Sequence, residues 1–367
     1  MTIRPRRSLL NPKLQRPSAL SSVPRDPERL WLDKNENLDP KLMAVTEDVL
    51  REMKAVSLST YPEAGEVYRK LARWVDVEPE QLILTPGSDG AIRLVFEAFI
   101  EDGDGVIHTV PTFAMYSVYS QMFGADILPI DYTSNDGKPF LNSDSIIQAI
   151  LTHKPKLMCL ANPDSPTGTT LDSNVLKEVL SACESVGTVF LIDEAYHPFY
   201  EWSAVPWTKI SKNLIVARTF AKAWGAAGLR IGYAVGHPET ISLLHKLRPM
   251  YEVNTFAVDF MSKMLDRKDD MLKSVARVLE GKDYFIEKMQ SLGFETIATS
   301  GNFLYVSFGE QGKQIHPAIA DKVYYREAFD HPSLVGYTRF SVAPKSIMIK
   351  VYELIKAVTT EKCNEQY

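Results

Sequence analysis

Between residues 81 and 236 seven short apolar runs alternate with amphipathic stretches, and no other feature of the chain restricts its fold as much. The runs are QLILTP (81–86), GVIHTV (105–110), ADILPI (125–130), KLMCLA (156–161), TVFLIDEA (188–195), NLIVAR (213–218) and RIGYAVG (230–236). Runs this short and this continuously apolar read as strands buried on both faces. Between them, Ile92, Val95, Phe96 and Phe99 recur at i, i+3, i+4, i+7, as do Leu176, Val179, Leu180 and Cys183, which places one apolar stripe on each of two helices. Strands alternating with helices predict an α/β fold, with a mostly parallel seven-stranded sheet flanked by helices.

The texture changes at about residue 262. A long charged amphipathic helix follows, with Met271, Val275, Leu279, Ile286 and Met289 on its apolar side. Then come two strand candidates, NFLYVSF (302–308) and YTRFSVA (337–343), and a terminal helix carrying Ile347, Val351, Leu354 and Ile355. The expected division is an arm over 1–37 that joins the smaller domain, a large domain over 38–261 and a smaller α+β domain over 262–367.

Composition narrows the function. A net charge of −5 over 367 residues gives no general attraction to nucleic acid or to an anionic membrane, so small-molecule chemistry fits better. No run approaches the length of a membrane span. Cys159, Cys183 and Cys363 are an odd number, far apart and without C-x-x-C spacing, and a reduced cytoplasm is their simplest home. The seven histidines show no H-x-x-x-H or H-x-H pairing, so no metal site is expected. The arm is basic before Asp26, through Arg4, Arg6, Arg7, Lys13 and Arg16, but Pro5, Pro12, Pro17 and Pro24 oppose the amphipathic helix that an organellar transit peptide needs.

Ligands of open α/β sheets collect where strands end, and four strand ends carry polar residues. In QLILTPGSDGAIRLVFEAF, Gly87, Ser88, Asp89 and Gly90 open a helix and offer a phosphate free N–H groups; equally, Ser88 or Asp89 is a plain N-cap. In LANPDSPTG, two prolines stiffen a loop that aims the Asn162 amide at a ligand, or Asn162 merely makes a turn. Asp193 closes the apolar run of TVFLIDEAY, where a buried carboxylate needs a cation or hydrogen-bond donors, unless it is a solvated strand-end cap; it shares a site with Tyr196 if both face inward. In RTFAKAWGAAGLRIGYAVG, Lys222 sits among small and apolar neighbours. A lysine so placed loses proton affinity and becomes a nucleophilic amine, whereas an ordinary lysine is solvated surface.

With YPEAG, PGSDG, NPDSPTG, DEAY and RTFAKAWGAAGLRIGY in this order, the chain resembles the fold-type I, pyridoxal-phosphate-dependent aminotransferases, most closely the histidinol-phosphate aminotransferase branch, from WLDKNEN (31–37) to YTRFSVA (337–343). The resemblance implies that Lys222 joins covalently to pyridoxal 5′-phosphate and then shuttles the substrate's proton. Asp193 would pair with the ring nitrogen, Asn162 and Tyr196 would bond the phenolic oxygen, and Phe113 would stack on the ring. The Gly87–Ser88–Asp89 turn, Thr219 and Arg230 would hold the phosphate. Tyr61 would reach the other subunit's cofactor, which implies a homodimer with shared sites. Arg339 would take the substrate carboxylate and Arg326 the side-chain phosphate; Asn162 also borders the substrate.

Two departures stand out. Ala221 replaces a phosphate-binding serine, and the arm lacks the Pro-Tyr signature that covers the substrate in those enzymes. The function implied is transfer of an amino group between an amino acid such as glutamate and a small phosphorylated or polar oxo-compound. A decarboxylase of the threonine-phosphate type shares the scaffold, and a cofactor-binding protein without turnover is the reading from another class.

Overall fold

All seven apolar runs lie in one sheet. The computed structural model describes residues 4–14 and 23–364, with side chains as far as residue 359; Arg16, Pro17 and the Cys363 side chain lie outside the described residues. Across the sheet the strands run Leu82–Thr85, Gly232–Gly236, Leu214–Thr219, Val189–Asp193, Leu157–Ala161, Gly105–Val110 and Asp126–Asp131. Gly232–Gly236 is antiparallel to both neighbours, and every other pairing is parallel.

The two-sided burial is visible residue by residue. Met158, Leu160, Phe190, Ile192, Leu214 and Val216 pack in one apolar layer with Leu176, Val179, Leu180 and Cys183 of the Ser173–Val186 helix. The alternate residues Leu157, Cys159, Val189, Leu191 and Ile215 pack in the other, with Ile92, Val95 and Phe96 of the Gly87–Phe99 helix. A strand that must satisfy both layers has no wet face, which is why its sequence does not alternate.

ADILPI departs from that expectation. It forms the Asp126–Asp131 strand at the sheet's edge, where Asp126, Pro129 and Asp131 are exposed and the remaining residues half-buried. Proline has no N–H to give a second neighbour, so an edge suits it.

The helix expected from about residue 262 is two helices, Thr255–Leu265 and Lys268–Ser291. Residue 262 lies within the first, which begins where the Asn254 side chain accepts from Ala257 N at 2.8 Å. The apolar stripe runs on across the break at Asp266 and Arg267, and so the sequence hides it. Met271, Val275 and Met289 are buried as expected.

The second, antiparallel sheet contains the two expected strands, Phe303–Ser307 and Thr338–Ser341, and a third, Glu295–Ala298, whose ETIA sequence is too short and too polar to stand out. The Lys268–Ser291 and Lys345–Asn364 helices pack beside it. Leu30–Trp31 pairs with Val323–Tyr324, which brings the N-terminal segment to this part of the chain.

One edge of the large sheet gathers the loops that matter. Gly232 lies opposite both Thr85 and Thr219, so the loops after Thr85 and Thr219 and the loop entering Gly232 leave from the same edge. The parallel strands send the loops after Val110, Ala161 and Asp193 there too.

Candidate active site

A cavity of about 630 Å³ opens over that edge. Its lining includes Ser88, Asp89, Phe113, Asp193, Tyr196, Thr219, Lys222, Arg230, Arg326 and Arg339, which come from four strand ends and from the second sheet. A cleft of similar volume beside Arg69, Arg73, Glu78 and Lys209 contains none of them. Gly87 and Asn162 border the cavity without lining it. Tyr61 lies elsewhere on the chain, 72% exposed and stacked on Tyr251 with ring centroids 4.1 Å apart.

Lys222 is half-buried as a residue and lines the cavity. Nζ donates to the Lys34 carbonyl at 2.7 Å. Burial lowers its pKa to about 8, helped by the charges of Arg339 and Arg230 and opposed by those of Glu36 and Asp193. A useful fraction of the amine is therefore unprotonated near neutral pH.

Asp193 shows the same cause acting on an acid. It is 4% exposed, and burial raises its carboxyl to about 7. Oδ1 accepts from Ala195 N at 3.0 Å and Oδ2 from the Tyr116 hydroxyl at 3.3 Å. Among the described residues no cation forms an ion pair with it. The solvated-cap reading fails, because this carboxylate is held away from water with its charge unmatched.

Asn162 is divided between two tasks. Its Oδ1 accepts from Leu171 N at 2.8 Å, which fixes the loop, while its buried Nδ2 has no partner. Tyr196 receives the Asn35 amide on its hydroxyl at 2.8 Å.

At the helix start the plain-cap reading of Ser88 and Asp89 also fails. The cap position falls on Pro86, which makes no side-chain cap bond, and Asp89 instead accepts from the Tyr119 hydroxyl at 2.9 Å. The first-turn N–H groups thus have no intrahelical partner. Arg230 adopts a left-handed conformation (φ 52°) and lies close against Gly87: a Cβ there would sit 2.8 Å from its Nη2. Thr219 Oγ1 accepts from Ala221 N at 3.1 Å, and its own proton is left for another acceptor.

Arg339 is buried. Its Nη2 donates to the Asp33 carbonyl at 2.7 Å, and its Nε has no partner. Arg326 pairs with it through reciprocal backbone bonds of 3.0 and 2.8 Å, and both guanidinium groups lie over Phe329, at 4.7 and 5.8 Å from the ring centroid. Two like charges set side by side strain the ladder unless an anion relieves them.

Sequence reasoning missed several members of the site. Asn35, left-handed at φ 55°, ties Tyr196 to the second sheet, with its N–H donating to Ser341 Oγ at 2.7 Å. Asp164 is fully buried, raised to about 6 by burial, and accepts from Thr112 at 2.9 Å and from Thr167 at 2.7 Å. Both lie inside stretches quoted above, WLDKNEN and NPDSPTG, without any local sequence signal that marks them.

Pyridoxal phosphate matches what these residues lack. A protonated ring nitrogen would balance Asp193, a phenolic oxygen would satisfy Asn162 Nδ2, an aldehyde would meet the Lys222 amine, and a phosphate suits the helix start beside Arg230. Known proteins agree with that fit. The sequence profile of the family "Aminotransferase class I and II" matches residues 27–356. A histidinol-phosphate aminotransferase of Thermoanaerobacter sp. is 30% identical over 86% of this chain and 89% of its own. A putative histidinol-phosphate aminotransferase from Erwinia carotovora atroseptica superposes with a TM-score of 0.80 at 23% identity, over 91% of this chain and 97% of its own. The Sinorhizobium meliloti histidinol-phosphate aminotransferase, solved in complex with pyridoxal-5′-phosphate, gives 0.75 at 20% identity, over 90% and 91%.

Proposed function

The chain belongs to the class I and II aminotransferases, which depend on pyridoxal phosphate, and from that membership we propose that it moves an amino group between the glutamate/2-oxoglutarate pair and a phosphorylated amine and its oxo form, histidinol phosphate first among such amines. The observation that carries the proposal is the convergence of an amine of lowered proton affinity, an unmatched buried carboxylate and two arginines on one cavity. Bound there, the cofactor supplies an aldehyde that accepts the amino group and a ring that draws electrons from the adjoining carbon.

The chain's residues do the rest. Lys222 Nζ anchors the cofactor and, once free, takes the proton from the substrate's α-carbon. Asp193 keeps a proton on the ring nitrogen. Asn162 and Tyr196 donate to the phenolic oxygen, and Phe113 covers the ring face. The N–H groups of Gly87, Ser88 and Asp89, with Thr219 and Arg230, hold the phosphate; Ala221 contributes no hydroxyl, so the set has one donor fewer. Arg339 binds the carboxylate of glutamate as a bidentate fork, and Arg326 receives the phosphate of the phosphorylated substrate.

Tyr61 is exposed on its own chain because it serves the site of a second copy, and the enzyme is a homodimer on this reading. On the same reading the large domain gives way to the small one after the Thr255–Leu265 helix, a few residues beyond the expected boundary at 261, and the arm joins the small domain. Free, buried Cys159 and Cys183 fit a cytoplasmic enzyme.

The test adds glutamate, histidinol phosphate and other amino compounds in turn to the holoenzyme, and follows the cofactor's visible absorption and the products. Conversion by glutamate and histidinol phosphate supports the proposal. Failure of histidinol phosphate alone removes that substrate, and release of carbon dioxide without amino transfer overturns the reaction class in favour of decarboxylation.

A further inference from the structure

The Asp33–Glu36 segment, whose Lys34 and Asn35 line the cavity, holds two site cations by its backbone. The Asp33 carbonyl accepts from Arg339 Nη2 at 2.7 Å, and the Lys34 carbonyl accepts from Lys222 Nζ at 2.7 Å. Between the same residues the Asn35 side chain reaches Tyr196. Asn35 pins the middle of this strap, with its N–H donating to Ser341 Oγ, its Oδ1 accepting from the same hydroxyl and its carbonyl accepting from Asn302 Nδ2, but the two carboxylate-bearing ends, Asp33 and Glu36, need a restraint of their own.

Arg25 supplies the restraint. Its Nη1 lies 2.9 Å from Asp33 Oδ1 and 2.9 Å from Glu36 Oε2, and its Nη2 lies 2.7 Å from Glu36 Oε1. The guanidinium is 4.2 Å from the Trp31 ring centroid, which orients the fork. Arg25 and its two carboxylates are only about one-fifth exposed, and Arg25 does not line the cavity.

We propose that Arg25 is a positioning residue for amino transfer: by clamping both ends of the Asp33–Glu36 strap it sets the carbonyls that hold Arg339 and Lys222. This rests on the reading that Arg339 takes the substrate carboxylate. It also gives the arm, which has no tyrosine to cover the substrate, a different task at the same site. A planar fork gripping two carboxylates at once is a shape lysine does not reproduce.

The experiment compares the holoenzyme with Arg25→Ala, Glu36→Gln and the double variant, using glutamate as the amino donor. Because a displaced carboxylate fork weakens substrate capture more than chemistry, KM rises about tenfold in Arg25→Ala while kcat stays within about twofold. The double variant is no worse than Arg25→Ala, since both changes break one clamp. Millimolar methylguanidinium restores KM in Arg25→Ala, which a misfolded variant would not allow. In parallel, hydrogen exchange at the Asn35 amide, bonded to Ser341 Oγ, quickens in Arg25→Ala.

An unchanged KM, or losses that multiply in the double variant, overturns the proposal. Should the wild-type enzyme take no amino group from glutamate, the functional reading fails separately, and an Asn35 amide that exchanges as before in Arg25→Ala then overturns the clamp.

Discussion

Burial displaces Lys222 and Asp193 in opposite directions, because it penalises whichever form is charged. With its pKa lowered to about 8, the Lys222 amine of the cofactor-free protein reacts with an acylating reagent at a rate that climbs with pH, is half-maximal near pH 8 and levels off above it, where an exposed lysine would still be climbing; peptide mapping of the labelled protein checks this. Asp193 acts on stability. Folded, it keeps its proton up to about pH 7, whereas the unfolded chain loses it near the ordinary carboxyl value of 3.8. The folded state therefore binds more protons over that window, and stability falls as pH rises from about 4 to about 7. Asp193→Asn never ionises and escapes the loss. Without cofactor it should match the wild type near pH 4 in urea unfolding and exceed it at pH 8 by about 1–4 kcal/mol. The same variant loses the charge-assisted bond to the ring nitrogen, and its cofactor affinity drops by more than about tenfold.

Among the elements, the Gly232–Gly236 strand and the start of the Gly87–Phe99 helix meet more closely than any side chain permits. A Cβ on Gly232 would lie 2.5 Å from the Gly87 carbonyl carbon and 2.7 Å from Ser88 N. Gly232→Ala must push the helix start away from the strand, at a cost of about 1–3 kcal/mol in thermal unfolding and with a marked loss of phosphate-dependent cofactor binding in equilibrium dialysis. Unaltered binding would show that the phosphate is held elsewhere. The strands were legible because two packed layers demand unbroken apolar runs, and the edge position of Asp126–Asp131 was not, because an edge is decided by what fails to pair. Likewise the residues at strand ends could be read, since a local turn displays them. Asn35 and Arg25 could not: Asn35 acts through Tyr196 and Ser341, 161 and 306 positions away, and Arg25 acts through a strap whose importance comes from Lys222 and Arg339.

For the molecule as a whole, Leu58, Tyr61 and Met250 are among the large apolar side chains that lie open, at 74%, 72% and 79% exposure. Such residues, beside the Tyr61–Tyr251 stack, suit the symmetric interface proposed above. Sedimentation at micromolar concentration should find a dimer, and Met250→Asp should shift it towards monomer with loss of cofactor. Mixing Tyr61→Ala with Lys222→Ala, each nearly inactive, should restore roughly a quarter of wild-type activity, because half of the reassorted dimers carry one intact site. The account as a whole depends on where the cofactor is attached. Borohydride reduction of the holoenzyme followed by peptide mapping should place the reduced cofactor on the peptide that carries Lys222 and on no other. A label on another lysine, or none at all, would contradict the account.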